Sequence, residues 1–392
     1  MVVTREIDRT VNAILCAMIV YVLNPGSTST KLGLATITAN NKGVTAVVEK
    51  LELQHSTLKA RASDHGATAL SLDGTAPDTP VGLDTEAMDA IRALIKQSST
   101  EWAKPDAISC RAGLLGPCAA GTYRVTKQLA QYSLLHKNGI HASNYGARLA
   151  LEWAEMFGVP AYLVDPPTVD ELLPEARVTG VPYMQRRSRF HALNARAVAR
   201  RAATEIGKRF EDSTIVVAHL GGGSSVTSFQ NGRAIDTTSA LLDEGPFSSE
   251  RAGTLPIEGL LDLAYSLPRE ILEFQLRRQS GFQGMLGTSD LKVIESRAVQ
   301  DQPTREAINA YVHQVAKNVG AYAAASFGRP DAIVLTGGAA RWTSLMQRLE
   351  TRLGWIAPVV VIPGELEMEA LAEGAGRVLY NLEAALDFQI PI

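Results

Sequence analysis

Three times along this chain a short apolar run leads straight into a glycine-rich polar turn. The first is Ile19 to Leu23, followed by Asn24-Pro25-Gly26-Ser27-Thr28-Ser29-Thr30-Lys31. The second is Thr214 to Leu220, followed by Gly221-Gly222-Gly223-Ser224-Ser225, and the third is Ala332 to Leu335, followed by Thr336-Gly337-Gly338-Ala339-Ala340. An apolar run bounded by such turns reads as a buried strand. Glycine lets a backbone come close to a ligand, and successive N–H groups in these turns form anion-binding concavities. One such turn is as easily a polar hairpin or a helix cap. Three of them, each directly after a buried strand, fit a nucleotide lying across a cleft.

The first two turns also share a grammar. Strand, polar turn, strand and second turn follow one another through Lys31 to Thr38, Asn41-Lys42-Gly43 and Val44 to Leu51. The same order returns through Val226 to Phe229, Asn231-Gly232 and Ala234 to Asp236. Setting Asn24 on Gly221 gives an offset of 221 minus 24, or 197 residues, half of the 392-residue chain. Such self-similarity predicts two related halves facing each other. Between the turns, helical and strand patterns alternate. Helices are predicted at Asp84 to Ser98, Asn144 to Phe157, Ala195 to Ile206, Thr304 to Ala325, Trp342 to Leu353 and Glu367 to about Leu386. Short strands are predicted at Asp106 to Cys110, Ala161 to Val164, Ala332 to Leu335 and Val359 to Ile362. The class is α/β.

Bulk properties narrow the function. The net charge is −3 and no basic, aromatic-laced face is present, so nucleic acid is not an expected partner. Ala13 to Leu23 is apolar and follows Arg5 and Arg9, but it is too short to span a bilayer and runs into a turn rather than a cleavage site. No membrane association is expected, and residues before Met18 read as an extension. Cys16, Cys110 and Cys118 have no metal-like spacing and suit a reducing, cytoplasmic setting. No G-x-x-x-x-G-K-[ST] occurs, since the nearest stretch, Gly116 to Thr122, lacks the lysine, and neither G-x-G-x-x-G after a strand nor a G-x-S-x-G elbow is found. Two arginines lie where an anion could be gripped in two-point fashion: Arg111 at a strand end before Ala112-Gly113-Leu114-Leu115, and Arg251 in Asp243-Glu-Gly-Pro-Phe-Ser-Ser-Glu-Arg-Ala-Gly253. A lone arginine is more often a surface ion pair.

The string VLNPGSTSTK resembles the first signature of the acetate and butyrate kinase family, within the sugar-kinase, Hsp70 and actin superfamily. The resemblance runs from Met18 through RAGLLGP (Arg111 to Pro117), HASNYGA (His141 to Ala147), VDPPTVDEL (Val164 to Leu172) and FHALN (Phe190 to Asn194). It continues through HLGGGSSV, DEGPFSSERAG, LGTSDL (Leu286 to Leu291), LTGGAA and PGELEMEALAEGA (Pro363 to Ala375). Pro25, the GLL after Arg111 and the third glycine of HLGGG bring it nearer the butyrate than the acetate kinase branch.

The resemblance implies a duplicated actin-like, two-domain fold. Residues 1–165 with 367–392 would form the first domain, the terminal helix crossing back, and 166–366 the second, with a central cleft that closes on ATP. It implies ATP or ADP and Mg²⁺ as cofactors, a short-chain carboxylic acid as substrate and a homodimer. Asn24, Ser27 and Ser29 would hold phosphate oxygens and the metal shell. Arg111 would grip the carboxylate, and Arg251 would bridge the transferring phosphoryl group. Asp165 would orient Mg²⁺ through water, with Glu367 as partner, although Glu365 lies close in sequence. His219, Gly221, Gly222 and Gly223 would lie against the nucleotide phosphates, Gly337 and Gly338 against adenosine, and Asp290 and Lys292 on the nucleotide side. One departure stands out: where acetate kinases carry a second histidine after the FH pair, this chain has Ala195, leaving that contact unassigned. The implied reaction is a reversible transfer of the γ-phosphoryl group to a short fatty acid, butyrate first and acetate, propionate or a branched acid as alternatives. A reading from another class is a non-catalytic actin-like nucleotide or carboxylate sensor.

Overall fold

The computed structural model describes residues 17–26, 29–40, 43–54, 85–242, 244–327 and 329–391. Ser27, the Asn41-Lys42 turn, Asp243, Cys16 and the N-terminal extension lie outside them.

Two sheets carry the chain. In the first, β1 (Met18–Pro25), β2 (Ser29–Asn40) and β3 (Gly43–Gln54) form an antiparallel meander. On the other edge of β1, β4 (Ala107–Arg111) and then β6 (Ala161–Val164) add in parallel, and β5 (Thr122–Arg124) closes the order β3-β2-β1-β4-β6-β5. The second sheet repeats the plan. β7 (Thr214–Leu220), β8 (Ser224–Gln230) and β9 (Arg233–Thr237) form a meander, and β10 (Ala332–Gly337) and β11 (Val359–Pro363) add in parallel beyond β7. Asn24 closes the β1 hairpin opposite Lys31, and Leu220 closes the β7 hairpin opposite Ser224. The repeat read at an offset of 197 residues is therefore a repeat of topology. It places all three glycine-rich turns at the carboxyl ends of parallel-paired strands, where open α/β sheets bind ligands.

Helices pack in layers around these sheets. α1 (Thr85–Glu101), α2 (Lys127–Ser133) and α3 (Gly146–Phe157) cover the outer face of the first sheet, where Trp153 packs against Tyr21 at 4.8 Å between ring centres. A single turn, α4 (Pro174–Arg177), precedes α5 (Ala192–Glu205), which lies between the sheets. Leu193 and Ala197 join the cluster of the first sheet, while Ala195, Val198, Ala199, Ala202 and Ala203 join that of the second. A helix apolar on so many sides must be buried, and its alanines let both layers approach. Further out, α6 (Ile257–Ser266), α7 (Arg269–Arg278), α8 (Gly281–Leu286) and α9 (Leu291–Arg297) form a region for which the periodicity carried no expectation. α10 (Gln302–Ala324) and α11 (Thr343–Leu353) cover the outer face of the second sheet.

The last helix, α12 (Glu367–Leu379), crosses back onto the inner face of the first sheet, against β1 to β4 and β6. Small residues make this possible: a Cβ at Gly374 would meet Val164 at 2.5 Å, and one at Gly376 would meet Ile37 at 2.8 Å. α12 ends at Leu379 rather than near Leu386, because Asn381 turns left-handed at φ 57°. Asparagine tolerates that conformation, and it stops the helix. Leu386 instead bridges to Tyr123 of β5.

Gly146, the first residue of α3, packs where β4 ends. A Cβ there would collide with the Arg111 carbonyl and come within 3.5 Å of Pro25. Gly146→Ala should therefore lower stability by about 1–3 kcal/mol through overpacking. Gly320→Ala in α10, where an added Cβ meets nothing within 4 Å, should raise it by roughly 0.5–1 kcal/mol. Thermal denaturation of the two variants checks both signs.

Candidate active site

Three elements meet at the end of the first sheet. Asn24 sits near the end of β1, Arg111 ends β4 and Glu367 begins α12. Asn24 Nδ2 donates to Glu367 Oε2 at 2.8 Å, and Arg111 Nη1 donates to the same oxygen at 3.0 Å. Arg111 Nη1 also reaches Asn24 Oδ1 at 3.4 Å. Asn24 is buried, whereas 26% of the Arg111 side chain remains exposed to the cleft. The loop after Arg111 is pinned by Asn144, whose Oδ1 accepts from Leu114 N at 2.9 Å while its Nδ2 donates to the Gly139 carbonyl at 2.9 Å. The HASNYGA motif thus holds the arginine's loop in place.

The second sheet brings its turn to the same cleft. Arg251 lies against Gly223, where any side chain would collide with the guanidinium, and its Nη1 donates to the Ala240 carbonyl. Ser248 ties this loop to the turn: its Oγ donates to the Gly222 carbonyl at 2.6 Å and accepts from Arg251 N at 3.1 Å. Burial and the nearby Arg278 pull the Arg251 pKa below its ordinary value.

His191, at the start of α5, stacks on His219 of β7 with ring centres 3.7 Å apart and planes 11° from parallel. Asn194 fixes the second ring. Its Oδ1 accepts the Leu366 N–H at 2.8 Å, so its Nδ2 is the donor to His219 Nδ1 at 3.0 Å. The His219 proton then sits on Nε2, which faces Glu365 Oε1 at 3.5 Å. Hydrogen bonding to His219 holds the Glu365 carboxyl below its usual range, with Arg111 and Lys31 adding to the effect. Burial, reinforced by His219, Arg251 and Arg111, pushes the His191 pKa well below its ordinary value. His141 is treated alike: burial first, then Arg111, Arg251 and Arg278, lower it to about 4. Both arginines contribute to lowering the pKa of both imidazoles, although they come from different halves of the chain.

The other expected site residues are held by contacts of their own. Asp165 follows β6 with a left-handed φ of 39° and is buried. Its carboxylate accepts from Gly121 N at 2.9 Å and faces Arg196 Nε at 3.3 Å and Arg200 Nη1 at 3.7 Å. It is not brought into contact with Glu367. Asp290 caps α9, accepting from Lys292 N at 2.9 Å, and both Asp290 and Lys292 are exposed. Gly337, at φ 93°, is required where its turn meets the Leu220 backbone, and it exchanges two 2.9 Å hydrogen bonds with Gly364. A Cβ at Gly338 would meet nothing within 4 Å, so its turn surface is open. Ser29 opens β2, its carbonyl accepting from Gly26 N at 2.8 Å. Ala195 is buried in the apolar cluster of the second sheet, one helical turn beyond His191. Asn194, Arg196, Arg200 and Arg278 carried no sequence signal specific enough to single them out.

Two sheets of one strand order, each ending in glycine-rich turns, give the chain an actin-like fold. The sequence profile described as "Acetokinase family" matches residues 177–352. A protein of Deinococcus radiodurans named probable butyrate kinase is 46% identical over 379 residues, 95% of this chain and 94% of that protein. One of Enterococcus faecalis with the same name is 39% identical over 381 residues, 94% of this chain and 97% of that protein. Among solved structures, Porphyromonas gingivalis acetate kinase superposes with a TM-score of 0.69, covering 93% of this chain and 100% of that one at 21% identity, a likeness of fold. The chain belongs to the acetokinase family, the acetate and butyrate kinases, and is a phosphotransferase acting on a carboxyl group. Membership implies use of ATP or ADP and a divalent cation. No described helix is long and apolar enough to cross a membrane.

Because the folded His141 pKa lies below the unfolded value of roughly 6.5, its burial is favourable only while the ring is neutral. Between those two values the unfolded chain binds more protons, so stability falls as pH drops from about 6.5 towards 4. His141→Asn should flatten part of the decline in melting temperature over that window. NMR titration of the His141 Cε1 proton should find a midpoint near 4 rather than near 6.5.

Proposed function

We propose that this enzyme transfers the γ-phosphoryl group of ATP to butyrate, reversibly, giving butyryl phosphate and ADP. The observation that carries the reading is the cluster in which Asn24 and Arg111 meet Glu367, with Glu365 facing His219, His191 stacked on His219, and Arg251 packed on Gly223 of the turn after β7. A short carboxylate is already ionised at neutral pH, so it attacks phosphorus without a general base. What the protein must supply is alignment of two anions and relief of their repulsion. Arg111 pairs with the carboxylate, and one carboxylate oxygen forms the new bond to phosphorus as the bond to the β,γ-bridging oxygen breaks and ADP leaves. Arg251, in its dry setting against Gly223, steadies the charge on the phosphoryl oxygens. A neutral His191 donates to that group without adding a charge that would trap it, and it takes the place left open at Ala195.

The nucleotide phosphates lie along Gly221 to Gly223 with Ser29, and the adenosine along Gly337 and Gly338, with Asp290 and Lys292 at its outer edge. Among the described residues no three of His, Cys, Asp and Glu form a metal cage. Mg²⁺ binds through one or two carboxylates and the substrate's phosphates. Glu367 and Asn24, with Glu365 alongside, would hold it, and it would neutralise charge on the transferring group. Asp165, set against Arg196 and Arg200, is a positioning residue in this reading. The two relatives named probable butyrate kinase favour a four-carbon acid.

A homodimer is proposed through α6 and α7. No residue of α6 is buried, and Ile257, Leu261, Leu263 and Tyr265 are exposed beside Ile271 and Phe274 of α7. A face this apolar on a folded protein marks an interface. Leu261→Arg with Phe274→Arg should halve the mass found by sedimentation equilibrium, and an unchanged mass would place the interface elsewhere.

The reaction itself is tested by trapping acyl phosphate with hydroxylamine, using Mg-ATP and acetate, propionate, butyrate, isobutyrate and longer branched acids. Product should peak at four carbons, and Arg111→Ala or Arg251→Ala should each lower kcat/KM by about 10²–10³-fold or more. A peak at two or three carbons would reassign the acid. No product from any acid, with ATP still bound, would favour a sensor.

A further inference from the structure

A second cavity, of about 550 Å³, lies under the segment where Val178 pairs with Gln185, and none of Asn24, Arg111, Glu367, His191, His219 or Arg251 lines it. Its size is in the range of small-molecule sites. Four arginines face it, Arg177, Arg186, Arg187 and Arg189, against the single carboxylate of Asp170. Two of the four are already paired. Arg177 forks onto Asp170 at 2.8 and 2.6 Å, and Arg186 reaches Asp236 at 2.8 Å as well as Glu244 and the Thr237 carbonyl. The guanidinium groups of Arg187 and Arg189 meet no carboxylate within 4 Å among the described residues. The Asn138 amide, on the opposite wall, likewise makes no hydrogen bond among them. A concave wall with an excess of one sign focuses its field and concentrates counter-ions.

We propose that this cavity is a separate binding site for a phosphate group, gripped by Arg187 and Arg189 and touched by Asn138. Two uncompensated guanidinium groups match a dianion better than a monocarboxylate, and their planar forks fit tetrahedral oxyanions. Free phosphate and a phosphate ester present the same chemistry here. The wall includes Leu114 and Gly116, in the loop that follows Arg111, so the site adjoins the catalytic cleft without sharing a residue with the cluster there.

The test is isothermal titration with inorganic phosphate, and separately with glycerol 3-phosphate, at fixed ionic strength. Wild type, Arg111→Ala with Arg251→Ala, and Arg187→Gln with Arg189→Gln are compared. Binding should persist in the first double variant and weaken by about tenfold or more in the second, while the second keeps its melting temperature and its rate of acyl phosphate formation. Binding of both ligands assigns the site to any phosphate group, and binding of the ester alone assigns it to an organic phosphate. Should the first double variant unfold, the loss of one of two phosphate sites from wild type to Arg187→Gln with Arg189→Gln gives the same answer. Phosphate affinity unchanged by Arg187→Gln with Arg189→Gln overturns the proposal.

Discussion

The whole site hangs on one carboxylate oxygen. Glu367 Oε2 accepts from Asn24 and from Arg111, joining the first residue of α12 to the ends of two strands, at a sequence separation of 343 from Asn24. That bond is available only because α12 lies flat on the first sheet, and α12 lies flat only because Gly374 and Gly376 put no side chain between helix and strands. Packing of small residues further along α12 thus fixes the spacing of Asn24, Arg111 and Glu367. The same helix start brings Glu365 to His219 and gives the Leu366 N–H to Asn194. One short segment therefore serves both lobes.

Charge in the cleft is arranged by exclusion as much as by attraction. Burial first, then Arg111 and Arg251 for both rings, His219 for His191 and Arg278 for His141, disfavour protonation of His141 and His191. A protonated ring there would add a further cation to a site whose ligands are anions, tightening ground state and transition state alike with no gain in rate. Neutral rings donate a hydrogen bond and nothing more. The acceptor bonds on Nδ1 of His141, from Ser143 N at 3.1 Å, and on Nδ1 of His219 settle which nitrogen does so.

The sheets were the most legible part of the sequence, because a buried strand running into glycine leaves a strong local mark, and the same mark appears in both halves. Arg111 and Arg251 were legible as strand-end or loop arginines in glycine-bearing surroundings, and the family likeness gave them roles. Glu367 was harder, since its partners are distant in sequence and Glu365 is equally acidic; only the fold separates a residue facing Asn24 from one facing His219. Asp165 carried a motif that implied a metal role, yet its partners, Arg196 and Arg200, sit on one face of α5 and are invisible to local pattern. The helices over Ile257–Leu286 went unread because α6 buries none of its residues, while α7 buries only Leu272 and α8 only Gly281 and Phe282, too few to leave a periodic apolar stripe.

The crossing of α12 also bears on how such a chain comes into being on the ribosome. The inner face of the first sheet presents Val20, Val22, Ala35, Ile37 and Val164, and the residues that cover it include Met368, Leu371 and Ala375. Until those have been synthesised, that face has no permanent cover, although its strands are among the first made. Contacts this remote in sequence form late and slowly, and apolar sheet surface left waiting is prone to stray association. A newly made first sheet should therefore depend on a transient shield, and truncation just before Glu367 would remove the acceptor for Asn24 and Arg111 and the cover of that sheet together.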